Sequence, residues 1–140
     1  MMSTLLDAYA LVAFLVGGPA TPQVRALLRD GDAAVATANL AEALDVSQRT
    51  YGLSISRALD VLDPLFDGTV LVMPLDLVKA RRAAEIRAAR YHRSTCPISL
   101  ADAILIASAG PGDRIATADA HVLAVAKAEQ IEPLALPGQG

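Results

Sequence analysis

The sequence predicts an α/β fold: a three-layer α/β/α sandwich around a four- to five-stranded, mainly parallel sheet. Short apolar runs alternate with longer helical patterns along the 140 residues. The short runs are apolar at consecutive positions, which is typical of strands in a parallel sheet that is covered on both faces. A chain of this length corresponds to one domain. We therefore expect a single domain over 1–136 and a C-terminal tail over 137–140.

The elements follow one another in a regular order. The predicted strands cover 3–6, 33–37, 69–73, 114–118 and 131–134. The predicted helices cover 8–16, 21–29, 39–51, 55–66, 76–93, 99–109 and 120–129. Turn formers separate them, since glycine and proline end helices and strands. Gly17, Gly18 and Pro19 close the first helix, and Pro74 stops the third strand.

Composition excludes several classes of protein. Hydrophobic residues make up 54% and charged residues 19%, which excludes a disordered chain. One cysteine, Cys96, allows no internal disulfide and no Cys-rich zinc site, and His92 and His121 are too few for a histidine-built zinc centre. Aromatic residues are only 4%, with no Trp, so we expect no stacking platform for single-stranded nucleic acid. The net charge of −3 argues against a protein that coats nucleic acid.

The apolar start of the chain raises the question of a targeting segment. The first eighteen residues carry no Lys or Arg, and Asp7 interrupts them. A secretory signal needs a basic start and an unbroken apolar stretch. The run over 5–16 is also shorter than the roughly 20 residues that a membrane helix requires. We therefore predict a cytoplasmic protein with no membrane partner.

Four carboxylates are predicted to meet at one edge of the sheet. Asp7 ends the first strand, Glu42 lies one turn into the helix after the second, and Asp119 follows the fourth. The carboxyl ends of parallel strands share an edge, and ligands bind there. Asp102 lies in the first turn of the helix that leads into the fourth strand, so it belongs to the same edge. Oxygen-only ligands favour Mg²⁺ or Mn²⁺. Two such ions can activate a water and stabilise the leaving oxygen of a phosphodiester. The hydroxyl of Thr117 could join this cluster.

Each acid also has a structural interpretation that stays open. Ser99 and Asp102 match a capping box, and Asn39 with Glu42 resembles one, with Asn39 as N-cap of the third helix. Asp7 could be a turn residue at a strand end, and the last acid could cap the helix that follows it. The shared edge of the sheet is what favours a common function.

Four segments carry a resemblance to a known family: LLD at 5–7, NLAE at 39–42, SLADAIL at 99–105 and IATAD at 115–119. In this order they resemble the PIN-domain ribonucleases, and most closely the VapC toxins of bacterial toxin–antitoxin pairs. The resemblance extends from Asp7 to the last strand. The second and fourth segments hold Glu42 and Asp119, and the third holds Asp102.

The resemblance implies a PIN-like fold and an endoribonuclease, dependent on Mg²⁺ or Mn²⁺, that hydrolyses RNA phosphodiester bonds. It also implies a homodimer that a cognate antitoxin protein holds inactive. Carried over by position, the metal-binding and catalytic acids are Asp7, Glu42, Asp102 and Asp119, and Thr117 is a supporting hydroxyl.

This sequence departs from the family pattern at two positions. The family usually has Ser or Thr after the first acid, where this chain has Ala8. That change removes a hydrogen bond that would help to orient Asp7. The family often has an aromatic residue three positions after the last acid, where this chain has Val122, and we expect that change to affect packing only.

The predicted helix 76–93 is strongly basic. At helical spacing, one face carries Lys79, Arg82, Arg90 and Arg93. The opposite face is predicted to be the buried stripe: Leu77, Ala80, Ala84, Ala88 and Tyr91. We expect Arg82, Arg90 and Arg93 to contact RNA phosphates or an antitoxin. The alternative is an ordinary solvated face.

Other classes of protein fit the residues less well. A haloacid-dehalogenase-type phosphatase needs a second Asp two residues after the first, where this chain has Tyr9. A response-regulator receiver needs an Asp at the end of the third strand, where this chain has Met73 and Pro74. It also needs a Lys near the last strand, and this chain has no Lys in 131–134. The alternative that stays open is a catalytically weak PIN-like module that binds RNA or an antitoxin-like protein without cleaving, because of Ala8.

Overall fold

We describe a computed structural model of the protein over residues 2–138. This part of the chain forms five strands and seven helices in the predicted order. The strands are β1 Thr4–Leu6, β2 Ala33–Ala36, β3 Leu71–Met73, β4 Arg114–Thr117 and β5 Glu132–Ala135. The helices are α1 Ala8–Val16, α2 Thr21–Arg29, α3 Thr37–Tyr51, α4 Ile55–Phe66, α5 Leu77–Arg90, α6 Leu100–Ser108 and α7 Ala120–Ala128.

The five strands form one parallel sheet in the order β3-β2-β1-β4-β5. From β1 the chain first builds the sheet towards β3 and then returns to add β4 on the other side. The strand order therefore reverses between β1 and β4. In their register Leu6 lies opposite Ala116, so Asp7, directly after β1, lies beside Thr117, the last residue of β4.

Both faces of the sheet are covered, which confirms the predicted three-layer sandwich. Leu5 and Leu6 are consecutive and fully buried, and they belong to two different core clusters. The cluster around Leu6 packs against α1 to α4, and the cluster around Leu5 packs against α5 to α7. Continuous apolar strands are the result of this burial on two sides.

Asn39 is not the N-cap of α3, contrary to prediction. Strand β2 passes into α3 without a loop, so the helix begins at Thr37 and its N-cap is Ala36. Asn39 lies inside the helix and is fully buried. Within residues 2–138 neither polar atom of its side-chain amide has a hydrogen-bond partner. The capping interpretation of Glu42 fails with it.

Helix α5 ends three residues earlier than predicted. Tyr91 is already extended, and the backbone groups of His92 and Cys96 exchange two hydrogen bonds of 2.9 Å. The side chain of His92 stabilises this turn, because its Nδ1 accepts a hydrogen bond from the backbone N–H of Ser94. The closed turn leaves no room for a further helical turn.

The predicted buried stripe of α5 is wrong. Its buried residues are Ala83 and Ile86, which face α6. The predicted stripe lies on the surface and includes Leu77, which is 85% exposed, and Tyr91, which is 42% exposed. Alanine is frequent all round this helix, so hydrophobic periodicity alone matched two faces. Contact with α6 selects the one that carries Ile86.

The two ends of the described residues lie at opposite edges of the sheet. Ser3 precedes β1 at the amino edge, and Pro137 follows β5 at the carboxyl edge. Met1 of the predicted domain and residues 139 and 140 of the predicted tail lie outside the described residues. No single helix within 2–138 is long and apolar enough to cross a membrane, and α1 with α2 reach that length only as a pair bent by 102°.

Candidate functional site

Asp7 forms the floor of the site. It follows β1 directly and begins α1, where its Oδ1 accepts a hydrogen bond of 2.9 Å from the backbone N–H of Ala10. The predicted helix cap is therefore present. The residue is nevertheless only 6% exposed, which is unusual for a capping aspartate. Capping explains where the side chain points, but it does not explain the burial of a carboxylate.

Thr117 holds the second oxygen of Asp7. Its hydroxyl donates a hydrogen bond of 2.5 Å to Asp7 Oδ2 and accepts one of 3.1 Å from the backbone N–H of Asp119. The β1–β4 register places the two residues side by side. Thr117 thus links the first and last acids, and it orients Asp7 where Ala8 has no hydroxyl to do so.

The other three acids come from three further elements. Glu42 lies in the second turn of α3 and is exposed. Asp102 is half-buried in the first turn of α6, where it forms the predicted capping box with Ser99 through two hydrogen bonds of 3.0 Å. Asp119 is exposed and caps α7 through Oδ1, with 2.8 Å to the backbone N–H of His121.

All four carboxylates line one pocket of about 670 Å³. We call this part of the pocket, together with Ser99, the acid end. Burial decreases from the floor at Asp7, through Asp102, to Glu42 and Asp119 at the rim. The structure therefore brings together the four predicted acids from β1, α3, α6 and the turn after β4.

The pocket continues away from the acids between α1 and α3. We call this part the apolar arm; its walls are Tyr9, Val12, Ala13, Val16, Gly17, Gly18, Val46 and Tyr51. No residue of this set carries a charge. Composition did not indicate the arm, because a low aromatic content argued against any stacking platform. Helical spacing could have indicated the arm, because Val46 lies four residues after Glu42, on the same face of α3.

Three carboxyls of the acid end, Asp7, Glu42 and Asp102, have raised pKa values. Burial is the main cause that raises the pKa of Asp7 to about 6, and the negative charges of Asp102 and Glu42 add to it, against the opposing hydrogen bonds from Thr117 and Ala10. Burial followed by the charge of Asp102 raises the pKa of Glu42. Burial also raises the pKa of Asp102, with a contribution from Asp119. A cation between these groups would relieve their repulsion.

The donor chemistry of the acid end fits a hard divalent cation, although the side chains do not form a ready-made cage. Within residues 2–138 no three His, Cys, Asp or Glu side chains lie close enough together to hold a metal ion. In the same range, Asp102 accepts hydrogen bonds only through Oδ2, Asp119 only through Oδ1, and Glu42 through neither oxygen. The other oxygen of Asp102, the other oxygen of Asp119 and both oxygens of Glu42 therefore remain available as ligands.

The three predicted contact arginines do not line this pocket. The guanidinium of Arg82 approaches the carbonyl of Ala109 at 3.4 Å. Arg90 forms an ion pair of 2.9 Å with Glu129, which follows α7 at the end opposite Asp119. Arg93 is exposed in the turn after α5. Their contact with RNA or an antitoxin stays a prediction.

In sequence comparisons, no protein-family model and no curated protein matches this chain. Solved structures do match its fold. The DNA-bound VapBC complex from Salmonella typhimurium aligns with a TM-score of 0.69 at 20% identity, covering 95% of this chain and 97% of the other. FitAcB from Neisseria gonorrhoeae gives 0.62 at 24% identity over 94% and 96%. FitAB bound to an IR36 DNA fragment gives 0.67 at 23% identity over 98% and 99%.

These alignments cover nearly the whole of both chains, so the fold is shared from end to end. The predicted PIN-like α/β fold, which the VapC resemblance implied, is confirmed. Identities of 20–24% carry the fold and no more. The chemistry of the site depends on the residues of the acid end and the apolar arm.

Proposed function

We propose that this protein is a divalent-metal-dependent endoribonuclease and the toxin of a toxin–antitoxin pair. The observation that supports this most strongly is the acid end, where Asp7, Glu42, Asp102 and Asp119 converge from four separate elements on one pocket. The pocket lies at the carboxyl edge of the sheet where the strand order reverses, which is the usual ligand site of open α/β sheets. Helices that follow parallel strands begin at this edge, so some capping acids belong there, but capping explains neither the burial of Asp7 nor the presence of Glu42, which caps no helix.

The four acids would hold Mg²⁺ or Mn²⁺. When bound, the metal would lower the pKa of a water and stabilise the negative charge on the leaving oxygen of a phosphodiester. Thr117 keeps Asp7 in one orientation by donating to its Oδ2. Ser99 fixes Asp102 through the capping box, and the Oδ1 of Asp102 has no hydrogen-bond partner among residues 2–138. These bonds restrict the acids before any ligand arrives.

Cleavage of a single-stranded RNA tests this proposal. We expect purified protein to cut it with Mg²⁺ or Mn²⁺ and not with EDTA, and Asp7→Asn to reduce the rate at least about 100-fold, because a ligand and its charge are lost. Asp76→Asn is the matched control: Asp76 caps α5 with a hydrogen bond of 2.8 Å to the N–H of Lys79, outside the pocket. Cleavage that survives both EDTA and Asp7→Asn would contradict the metal mechanism.

A binding module without catalysis is the second candidate function. The specific observation in its favour is that no three metal-ligating side chains within residues 2–138 are already close together. This candidate predicts RNA or protein binding without cleavage at any concentration of Mg²⁺ or Mn²⁺. The cleavage assay above therefore separates the two candidates directly.

The partner protein follows from the same proposal. VapBC and FitAB are solved as complexes, and we propose that this chain likewise binds a cognate antitoxin, with Arg82, Arg90 and Arg93 as contact residues. A small open reading frame beside the gene would encode it. We expect its product to co-purify with this chain and to stop RNA cleavage. A neighbouring product that binds without effect on cleavage would contradict the toxin assignment.

We also propose a homodimer that uses the exposed apolar face of α5. Leu77 and Val78 are 85% and 76% exposed, and Leu71 of the edge strand β3 is 55% exposed. Leu77 and Val78 are consecutive, and large exposed apolar side chains that lie together mark interaction surfaces. Sedimentation equilibrium should show a dimer that Leu77→Glu with Val78→Glu dissociates. Val61→Glu, an exposed position on α4, is the control; a wild-type monomer would contradict this proposal.

A further inference from the structure

The residues of the apolar arm cannot hold a metal, so the proposed cleavage chemistry leaves this part of the pocket without a role. We infer that the apolar arm is a subsite for one unpaired nucleobase of the substrate, with the ring of Tyr51 as its stacking surface. This inference rests on the proposed function, since it names how that same pocket would take its RNA. Tyr51 would be a positioning residue, and it lies outside the set of acids.

Continuity of the pocket is the first reason. Helices α1 and α3 both start at the carboxyl edge of the sheet and run away from it. Val16 and Tyr51 each lie nine residues after an acid, Asp7 and Glu42, so the arm extends about 13 Å along each helix at roughly 1.5 Å per residue. A polynucleotide with a phosphate at the acid end has a neighbouring sugar and base within reach of this wall.

Charge is the second reason. The acids lie at one end of the pocket, and no side chain of the arm is charged. A phosphate would gain nothing there, whereas a neutral aromatic ring would leave water for an apolar surface. Stacking on an aromatic side chain favours an unpaired base and tolerates different bases. The arm therefore fits the base, and the acid end fits the phosphate with its cations.

The two tyrosines differ in freedom. The hydroxyl of Tyr9 donates a hydrogen bond of 2.6 Å to the carbonyl of Pro137, which fixes its ring as a wall. Tyr51 is the last residue of α3 and is 48% exposed. Its ring is therefore the one that a base can cover. At the far end, a Cβ added to Gly18 would meet no atom within 4 Å, so the arm opens there without obstruction.

Binding of adenosine to the metal-free protein tests the subsite without cleavage. Adenosine has no phosphate, so the acids do not repel it. We expect it to shift the NMR signals of the Tyr51 ring and of Val46. Tyr51→Ala should weaken its binding about 5-fold or more, and Tyr51→Phe, which keeps the ring, should not. Gly18→Leu should weaken it by filling the arm. Tyr91→Ala is the control, because Tyr91 lies outside the pocket, beside Arg87.

RNA with a single abasic site gives a second readout. Moving the abasic position along the strand should reveal one position, next to the cleaved bond, where the missing base reduces kcat/KM about 5- to 150-fold, the range for one stacked base. With Tyr51→Ala, the same abasic RNA should lose little more, because both changes remove one contact. Losses that multiply would show that Tyr51 acts on the fold and not on the base.

The two proposals fail in different ways. A protein that binds adenosine at Tyr51 but cuts no RNA contradicts the nuclease assignment and keeps the subsite. A protein that cuts RNA normally after Tyr51→Ala and Gly18→Leu, and shows no adenosine shift at Tyr51, overturns the subsite. The arm would then be a surface for an apolar segment of a protein partner.

Discussion

Two helices of this protein begin in the same way but in different surroundings. Asp7 starts α1 and Asp76 starts α5, and each accepts a hydrogen bond from the backbone N–H three residues later, at 2.9 and 2.8 Å. Asp76 is exposed on the surface. Asp7 is buried. This burial, with smaller contributions from the charges of Asp102 and Glu42, raises its pKa to about 6. Identical capping geometry therefore accompanies different chemistry, and burial among like charges is what distinguishes a candidate site.

Replacing each aspartate by asparagine gives the largest contrast in stability. Asp7 has a folded-state pKa of about 6 against 3.8 when unfolded, so its ionisation opposes folding. That cost is absent below pH 3.8, grows between pH 3.8 and 6, and is complete above pH 6. At about 1.4 kcal/mol per pH unit it amounts to about 3 kcal/mol.

In EDTA at pH 7.5, Asp7→Asn should therefore raise the free energy of unfolding by about 2 to 3 kcal/mol, and at pH 3.5 it should not. Asp76→Asn should change it little at either pH, because asparagine caps helices as well as aspartate does. Urea unfolding at the two pH values measures both. Equal effects of the two substitutions at pH 7.5 would show that Asp7 is an ordinary cap.

Addition of Mg²⁺ should sharpen the same contrast. A cation that binds only the folded acid end stabilises it by about 2.7 kcal/mol at a hundred times its Kd. The midpoint of thermal unfolding should therefore rise with Mg²⁺ or Mn²⁺ for the wild type and for Asp76→Asn. It should rise little for Asp7→Asn. An equal rise in all three would place the cation elsewhere on the molecule.

Thr117→Val tests the hydrogen bond that supports Asp7. Loss of the hydroxyl removes a hydrogen bond to a carboxylate, so the pKa of Asp7 should rise above 6 and the protein should lose about 1.5 to 3 kcal/mol at pH 7.5. Part of this loss comes from the N–H of Asp119, which also uses that hydroxyl. The same substitution in the Asp7→Asn protein measures that part. Equal losses in both backgrounds would show that Thr117 does not support Asp7.

The topology and the acid end were predictable because both depend on where short apolar strands end. β1 and β4 are apolar at consecutive positions, and each is followed closely by an acid, Asp7 or Asp119. Once the strands are parallel, their carboxyl ends share an edge. Asp102 was predictable because its capping box marks the start, at that edge, of the helix that leads into β4. The metal itself stays a prediction.

The errors arose where tertiary contact decides between equivalent local patterns. Two stripes of α5 are apolar enough to be buried, and packing on α6 selects Ala83 and Ile86. Asn39 looks like a cap until β2 is seen to continue directly into α3. The apolar arm was missed for a related reason. A low content of aromatic residues does not say where they lie, and the fold places Tyr9 and Tyr51 on one pocket.

The hydrogen bond from Tyr9 to Pro137 has a practical consequence. It fixes the last described residues of the chain against α1, and Gly138 lines the same pocket as the acids. An affinity tag fused after residue 140 would start within a few residues of the pocket entrance, where it could obstruct RNA or contribute its own histidines to a metal assay. A tag placed before Met1 would start near Ser3, at the far edge of the sheet, and should be preferred for every measurement of binding or cleavage.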